Sequence, residues 1–219
     1  MRKFIGQIFK LGMVLGICLL FLVMSVGYMG YTDKIDEIPL EEKVISIQQD
    51  EDYVTIDKIN KQFLDAIVAT EDKRFYNHGA IDPISLTRAV LTNLKEGKWV
   101  EGGSTITQQL AKNMYFTRDK KLMRKVEELF MASHIEREYS KDEILELYVN
   151  VIYYGDGYTG IKEASEGYFN KSPEELSFDE ATLLAGLPQA PSKYALSSNY
   201  EAAKRRQSKV IACLNDYKG

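Results

Sequence analysis

The stretch IVATEDKRFYNHGAIDP, residues 67–83, places two adjacent carboxylates, Glu71 and Asp72, where a run of apolar residues ends. The apolar residues before this pair recur at helical spacing and predict one buried stripe of an amphipathic helix, made by Ile59, Phe63, Ala66 and Ile67. Glu71 continues that stripe, whereas Asp72 points about 100° away from it. Glu71 is therefore either a solvated helix end or a partly desolvated carboxylate that works in an active site.

The position of Glu71 also predicts the direction of its pKa. Burial along the stripe disfavours the charged form, and so does the negative end of the helix dipole. Lysine and arginine side chains elsewhere in a site would oppose this rise. We expect the pKa of Glu71 to lie above the ordinary glutamate value, which suits proton transfer near neutral pH.

Residues 11–31, LGMVLGICLLFLVMSVGYMGY, contain no charged side chain and are long enough to cross about 30 Å of hydrocarbon as a helix. Basic residues precede them and acidic residues follow, so the N-terminus, residues 1–10, should be cytoplasmic and the rest extracytoplasmic. A cleaved signal peptide is the alternative, but the apolar run exceeds a signal core and no small-x-small cleavage site follows. We predict a single-pass anchor in the cell membrane, followed by a linker over residues 32–52.

The composition excludes several functional classes. A net charge of −4 over 219 residues argues against a nucleic-acid binder, which is usually strongly basic. Two cysteines exclude a disulfide scaffold and a cysteine-based zinc site, and two histidines argue against a histidine-rich metal centre. The hydrophobic fraction of 45% is sufficient for one globular domain with a substantial core.

Helical spacing dominates the chain after the membrane segment. Residues 41–56 alternate enough to predict a short strand or an extended linker. Three later segments begin with Ser and carry Glu three residues on, the capping-box signature of a helix start: SPEEL, SKDEILELYVN and SFDEATLLAGLP. EGKWVEGGS and YYGDGYTG are expected to be loops. The predicted fold class is mainly α, with an N-terminal transmembrane helix.

The segment GGSTITQQLAKNMY, residues 102–115, predicts a helix with two different faces. Ser104 or Thr105 can cap its N-terminus, where free N–H groups face outward. One face is apolar, and the opposite face carries hydroxyl, amide and ammonium groups from Thr105, Gln108, Gln109 and Lys112. This pattern fits a phosphate or pyrophosphate site, and it equally fits a capped surface helix with a solvated polar face.

A basic run precedes or opens the next helix, and it consists of Lys120, Lys121, Arg124 and Lys125. Glu128 lies on the same stripe as Met131 and Ile135 of that largely apolar helix. An unpaired carboxylate there would be costly, so we expect an Arg124–Glu128 ion pair on structural grounds alone. The same pair would serve a site that handles an anionic leaving group, and the spacing does not separate the two interpretations.

The chain strongly resembles the peptidoglycan glycosyltransferase family (glycosyltransferase family 51) from about Tyr53 to its C-terminus. The resemblance rests on five motifs in the family's order: EDKRFYNHGAID, GGSTITQQLAKN, RKVEE, YSKDEILELYVNVIYYGDGYTGI and EATLLAGLPQAPSKY. This family comprises the glycosyltransferase domains of class A penicillin-binding proteins and stand-alone monofunctional transglycosylases. The resemblance implies a lysozyme-like, two-lobed helical domain over residues 53–219.

The resemblance also implies an activity. The family polymerises lipid II, an undecaprenyl-pyrophosphate-linked disaccharide-pentapeptide, into β-1,4-linked glycan strands with inversion and release of undecaprenyl pyrophosphate. By motif position, Glu71 is the general base that deprotonates the acceptor 4-hydroxyl. Glu128 matches a second essential glutamate, which orients Arg124 or a divalent cation (Mg or Mn) bound with the pyrophosphate. No other cofactor is implied, and no closed set of metal ligands is visible.

The remaining site residues are carried over by motif position. Those expected to shape the site around the base are Asp72, Phe75 and His78. Those expected to line the donor site are Ser104, Thr105, Gln108, Gln109 and Lys112. Lys112 and Arg124 would stabilise the leaving pyrophosphate, and Lys120 stands where the family carries a basic residue, often Arg. The implied partners are lipid II, the growing glycan strand, the lipid bilayer and other cell-wall synthases, with no nucleic acid.

The sequence departs from the family pattern in two places. Gly79 follows His78 directly where many members have His-x-Gly, and no Ser-x-x-Lys or Lys-Thr-Gly motif of a transpeptidase occurs. The chain is therefore either monofunctional or one domain of a longer enzyme.

Two other functions compete with the one that the resemblance implies. A glycan-cleaving muramidase or lytic transglycosylase would also use two carboxylates, but it needs no cationic site for a leaving pyrophosphate. A catalytically silent scaffold would not need the polar site residues at all.

Overall fold

The computed structural model describes residues 2–98, 102–116 and 122–219. Within these ranges the chain is mainly helical, as predicted, with one small antiparallel hairpin. The first helices are α1 (Arg2–Glu37), α2 (Leu40–Gln48), α3 (Lys61–Glu71), α4 (Pro83–Glu96), α5 (Ile106–Tyr115), α6 (Leu122–Glu138) and α7 (Lys141–Val151). The hairpin strands β1 (Tyr153–Gly155) and β2 (Tyr158–Thr159) follow, and then α8 (Ile161–Phe169), α9 (Phe178–Leu184), α10 (Pro191–Tyr194) and α11 (Leu196–Lys218).

Helix α1 contains the predicted membrane segment. Its portion from Lys10 to Glu37 is long and apolar enough to cross a membrane, and most of its residues there are exposed. The helix continues without a break past residue 31, so the first part of the predicted linker is helical. The division into residues 1–10, 11–31, 32–52 and 53–219 stays a prediction.

The C-terminal part of α1 packs closely against α6. Gly27 lies so near Val126 that an added Cβ would come within 2.4 Å of the valine Cγ1 atom. Further along the contact, the Tyr31 hydroxyl lies 2.9 Å from Nδ1 of His134. Burial lowers the pKa of His134, which favours a neutral ring that accepts this hydrogen bond. The anchor helix is thus part of the packed structure that supports α6.

The prediction of a strand or extended linker over residues 41–56 is wrong for its first half, because α2 occupies residues Leu40–Gln48. Leu40 and Val44, one helical turn apart, are both buried, and α2 contacts α7. Glu41 and Glu42 lie in the first turn, where the helix dipole favours negative charge. Burial at helical spacing therefore outweighed the local alternation.

The capping boxes decide where several helices begin. Ser140 starts α7 and Ser177 starts α9 with complete capping boxes, as predicted. The segment SPEEL also has a capping box at Ser172, but it forms only the 3-10 turn Pro173–Glu175. The Pro173 carbonyl accepts a hydrogen bond from the Asn60 backbone N–H, and the next helix starts directly afterwards at Ser177. This turn therefore has no room to become an α-helix.

Helix α3 lies in the core and ends at the candidate site. Its predicted stripe is buried as expected, with Ile59, Phe63, Ala66 and Ile67 all inaccessible or nearly so. It packs against α9 and α11, while α5 packs against α6 and α7. The C-terminus of α3 consequently meets residues from α5, α6 and α11 around one cleft.

Candidate active site

A cleft of about 730 Å³ collects most of the residues predicted for the site. It is lined by residues from α3, α4, α5, α6 and α11 and from the loops between them. The predicted residues that line it are Glu71, Asp72, Ser104, Thr105, Gln108, Gln109, Lys112, Arg124 and Glu128. Six sequence segments between residues 69 and 216 thus contribute to one cavity.

Glu71 is the last residue of α3 and is almost buried, with its side chain 9% exposed. Its Oε2 atom accepts a hydrogen bond of 3.0 Å from Nε2 of Gln109. The other amide atom of Gln109, Oε1, accepts from the Tyr148 hydroxyl at 3.2 Å, which fixes the orientation of the amide. The Oε1 atom of Glu71 lies 3.7 Å from Nη2 of Arg206, beyond ordinary hydrogen-bond length.

The surroundings of Glu71 raise its pKa above the ordinary value, as predicted. Desolvation by burial is the largest cause, and the negative charge of Asp72 acts in the same direction. The hydrogen bond from Gln109 and the positive charge of Arg206 oppose the rise. A carboxylate in this setting is suited to receive a proton at the end of a cleft.

Asp72 has a different environment although it is adjacent to Glu71. Its Oδ1 atom lies 2.8 Å from Nε2 of His78, and its Oδ2 atom accepts a hydrogen bond of 3.0 Å from the backbone N–H of Ile106. Ile106 is the first residue of α5, so Asp72 joins the end of α3 to the start of α5. Both carboxylate oxygens are engaged, which favours Glu71 over Asp72 as the proton acceptor.

One group of possible metal ligands occurs in the described part of the chain, namely Asp72, His78 and Asp82. The Asp82 carboxylate already has hydrogen-bond donors around it. It caps α4 by accepting from the N–H groups of Ile84 and Ser85, and it pairs with Arg74. His78 and Asp72 are joined to each other, and Nδ1 of His78 lies 2.7 Å from the Gly79 carbonyl oxygen. This group fits an internal charge network better than a site for an added cation.

Phe75 and His78 lie behind the cleft instead of lining it. Phe75 is fully buried, packs edge-on against Tyr76, and carries the Lys141 ammonium 4.4 Å from its ring centre. The His78 side chain is 7% exposed and is held by Asp72. Burial leaves these side chains to support the residues around Glu71, and their expected part in shaping the site stays a prediction.

The N-terminus of α5 orders the predicted polar row. Thr105, not Ser104, is the helix cap, accepting from the Gln108 backbone N–H at 3.1 Å. The Thr105 hydroxyl and the Gln108 side-chain amide both donate to the Ala80 carbonyl, so these two side chains also hold the segment before α4. Gln109 and Lys112, which lie on the same helix, also line the cleft.

The predicted Arg124–Glu128 pair is present on α6. Nε of Arg124 lies 3.0 Å from Oε1 of Glu128 as an ion pair, without the alignment of a hydrogen bond. A second cation that the sequence analysis did not assign, Lys125, contacts Oε2 of Glu128 at 3.3 Å and the Ser104 hydroxyl at 3.0 Å. Glu128 is buried, so two cations hold this carboxylate at the cleft. Lys120 lies outside the described residues.

Several lining residues were not predicted. Arg88 from α4 and Pro188 and Gln189 from the AGLPQAP segment line the cleft, and Arg206 from α11 faces Glu71. A second cavity of about 500 Å³ shares Gln109, Lys112, Arg124, Pro188 and Gln189 with the first and extends towards the hairpin. The motif EATLLAGLPQAPSKY was the available signal for Pro188 and Gln189, whereas nothing local marked Arg206.

Helix α4 separates the cleft from an apolar surface. Ser85 and Arg88 line the cleft, whereas Ile84, Leu91 and Leu94 on the same helix are strongly exposed. Only Ala89 of this helix is buried among its described residues. An exposed apolar helix face next to a polar cleft is typical of a surface that meets an apolar partner.

The chain matches a known protein family over most of its length. Residues 39–215 match the family model described as Transglycosylase. The chain is 49% identical over 159 residues to penicillin-binding protein 1A of Aquifex aeolicus and 47% identical over 163 residues to penicillin-binding protein 1F of Bacillus subtilis. These alignments cover 73% and 74% of the chain but 22% and 23% of those relatives, so it spans about a fifth of their length.

A relative of more similar length is a protein named as a transglycosylase in Cupriavidus necator. It is 41% identical to the chain over 175 residues, and the alignment covers 80% of the chain and 75% of that relative. The similarity therefore extends over most of both proteins.

Proposed function

The chain belongs to the transglycosylase family, whose domain is lysozyme-like, and on that premise we propose that it is a peptidoglycan glycosyltransferase that polymerises lipid II. The observation that carries the proposal is one cleft that holds a glutamate of raised pKa together with a cationic group. That cationic group consists of Lys112, Arg124 and Lys125. A base and a set of cations are the two components that transfer from a pyrophosphate-linked sugar requires.

In the proposed reaction, Glu71 accepts the proton of the acceptor sugar's 4-hydroxyl. As the O–H bond breaks, the oxygen forms a bond to the anomeric carbon of the donor sugar, and the bond from that carbon to the pyrophosphate oxygen breaks. Attack from the face opposite the pyrophosphate inverts the anomeric centre and gives a β-1,4 linkage. The pyrophosphate leaves with the bonding electron pair.

The cationic group would stabilise the negative charge that develops on the leaving pyrophosphate. Arg124 and Lys125 are held by Glu128 at 3.0 and 3.3 Å, so their charges are positioned before the substrate arrives. Glu128 would thus act on the pyrophosphate through these side chains. If a divalent cation binds with the pyrophosphate, Glu128 would be the residue to hold it, and the cation would add charge neutralisation at the same place.

The lipid part of the substrate fits the apolar features near the cleft. Helix α1 is apolar enough to anchor the chain in a membrane, and α4 exposes Ile84, Leu91 and Leu94 beside the cleft. A polyprenyl tail could remain in the bilayer while its pyrophosphate enters the cleft. We propose that the N-terminus is cytoplasmic and the domain extracytoplasmic, as the flanking charges favour.

Polymerisation of labelled lipid II by the purified full chain tests the proposal. We expect a polymer that lysozyme digests, and we expect Glu71→Gln to lower the rate by about 10²- to 10⁴-fold through loss of the base. Glu174→Gln, at an exposed position outside the cleft, is the matched control and should keep the wild-type rate.

Three outcomes would count against parts of the proposal. Shortening of preformed glycan, without polymer, would favour the glycan-cleaving alternative. A full rate in Glu71→Gln would remove Glu71 from its proposed role. Adding a chelator, and then Mg²⁺ or Mn²⁺, tests the divalent cation. A polymerisation rate that neither treatment changes would reject the proposed cation. Contact with other cell-wall synthases stays a prediction.

A further inference from the structure

The two carboxylate oxygens of Glu71 are not equivalent. Oε2 is occupied by the hydrogen bond from Gln109, whose amide is fixed by Tyr148. Oε1 faces the guanidinium of Arg206 at 3.7 Å, so it feels a positive charge without accepting a hydrogen bond from it. Oε1 is therefore the oxygen that retains a free lone pair for an incoming proton.

The Arg206 side chain is held in this position by the backbone at Gly186, between α9 and α10. Its Nε donates to the Gly186 carbonyl at 3.4 Å, and its side chain is only 10% exposed. Gly186 also provides space, because a Cβ at this position would come within 2.9 Å of Cγ of Arg206. The glycine thus allows the arginine stem to pass close to the backbone and reach Glu71.

The groups around Glu71 come from four helices. Asp72 follows the end of α3 and adds negative charge, while Gln109 on α5 and Tyr148 on α7 are neutral. Burial raises the pKa of Tyr148 well above its usual range, so its phenol stays protonated at neutral pH. The hydrogen bond from Gln109 and, after it, the positive charge of Arg206 on α11 counteract the burial of Glu71 and the charge of Asp72.

We propose that Arg206 is a positioning residue that keeps Glu71 ionised in its buried setting while leaving Oε1 free to take the acceptor proton. The inference rests on the proposed role of Glu71 as general base. Arg206 acts through Glu71 and needs no contact with the substrate. Helix α11 then contributes to catalysis through Arg206. The position of Arg206 in turn requires a residue without a side chain at Gly186.

The sign of the effect follows from electrostatics. Removing a nearby cation disfavours the carboxylate, so the pKa of Glu71 should rise further in its absence. The base would then become ionised only at higher pH, and the acid limb of the pH–rate profile would move upward. Raising the pH should restore most of the activity, because the base itself is still present.

The test measures the pH dependence of lipid II polymerisation by full-length variants. In Arg206→Gln we expect a loss of about tenfold or more at the acid end of the profile that shrinks to about twofold at the alkaline end. Arg206→Lys keeps a positive charge and should move the limb less. Arg205→Gln, at the exposed neighbouring position, is the matched control and should leave the limb unchanged.

The outcomes separate this inference from the proposed function. If the wild type makes glycan and Arg206→Gln loses the same factor at every pH, Arg206 is merely structural and the inference is overturned. If the wild type makes no glycan, the proposed function fails first. Should Arg206→Gln not fold, Gly186→Ala displaces the arginine stem instead, and an unmoved acid limb in that folded variant would reject the inference.

Discussion

Two buried glutamates share the cleft, and they are held in contrasting ways. Glu71 accepts one hydrogen bond from a neutral amide at 3.0 Å and has its nearest cation at 3.7 Å. Glu128 has two cations in contact, Arg124 at 3.0 Å and Lys125 at 3.3 Å. The residue type is the same and both side chains are at most 9% exposed, so the main difference lies in the neighbours.

This difference assigns the two carboxylates to different tasks. A buried carboxylate with a free oxygen and a distant cation can exchange a proton during a reaction. A carboxylate clamped between two cations serves better to orient those cations towards an anionic group. The supporting elements differ as well, since α3 packs against α9 and α11, whereas α6 packs against α5 and the anchor helix α1.

The largest effect expected on the Glu128 side comes from Glu128→Gln. The substitution keeps the shape but removes charge-assisted contacts worth about 1.5–3 kcal/mol, so we expect polymerisation to fall by about 10- to 100-fold. The acid limb of the pH–rate profile should stay where it is, because the proton acceptor is untouched. Lipid II kinetics across pH measure both quantities, and an upward shift of that limb would contradict the separation of tasks.

The sequence predicted one glutamate environment better than the other. The Arg124–Glu128 pair is four residues apart on one helix, so local spacing was sufficient to predict it. The stripe that ends at Glu71 was also local and predicted both its burial and the direction of its pKa. The cation that faces Glu71 could not be predicted, because Arg206 reaches it through the packing of α11 on α3.

The sequence does not show what other side chains contact, and the reason is the same. Phe75 and His78 belong to a motif at the site, but only the fold decides that their side chains point into the protein and not into the cleft. The role of Asp72 at the start of α5 likewise requires residues from another helix. Residues 41–56 alternate locally, yet the burial of Leu40 and Val44 makes α2 a helix. Periodicity therefore predicts faces of helices but not what those faces meet.

A smaller effect should follow from disturbing the contact that supports α6. In Gly27→Ala the new Cβ would meet Val126 at 2.4 Å, and overpacking of this kind costs about 1–3 kcal/mol. We expect a reduction in polymerisation of roughly three- to tenfold, with membrane association unchanged, because part of this strain displaces the helix that carries Glu128.

The same anchor helix provides the control for that experiment. Gly16→Ala introduces the same methyl group at a position where no atom lies within 4 Å, so it should have the wild-type rate. Membrane fractionation and lipid II kinetics on both variants make the comparison. Equal losses in the two variants would show that the contact with α6 has no part in activity.

The smallest effect concerns stability, and it tests whether burial of Glu71 is costly for the fold. A glutamate with a raised pKa in the folded state binds its proton more tightly there than in the unfolded chain, so its contribution to stability falls as pH rises from about 4.5 through the raised value. Glu71→Gln removes the ionisable group and should be more stable than the wild type at neutral pH, with the advantage disappearing as the pH is lowered through that window. A relief of about 1 kcal/mol would raise Tm by roughly 2–4 °C in a domain of this size.

Thermal unfolding in detergent across pH, with Glu174→Gln as the exposed control, measures this difference in stability. A variant that is less stable than the wild type at neutral pH would mean that the contacts with Gln109 and Arg206 outweigh the desolvation of Glu71.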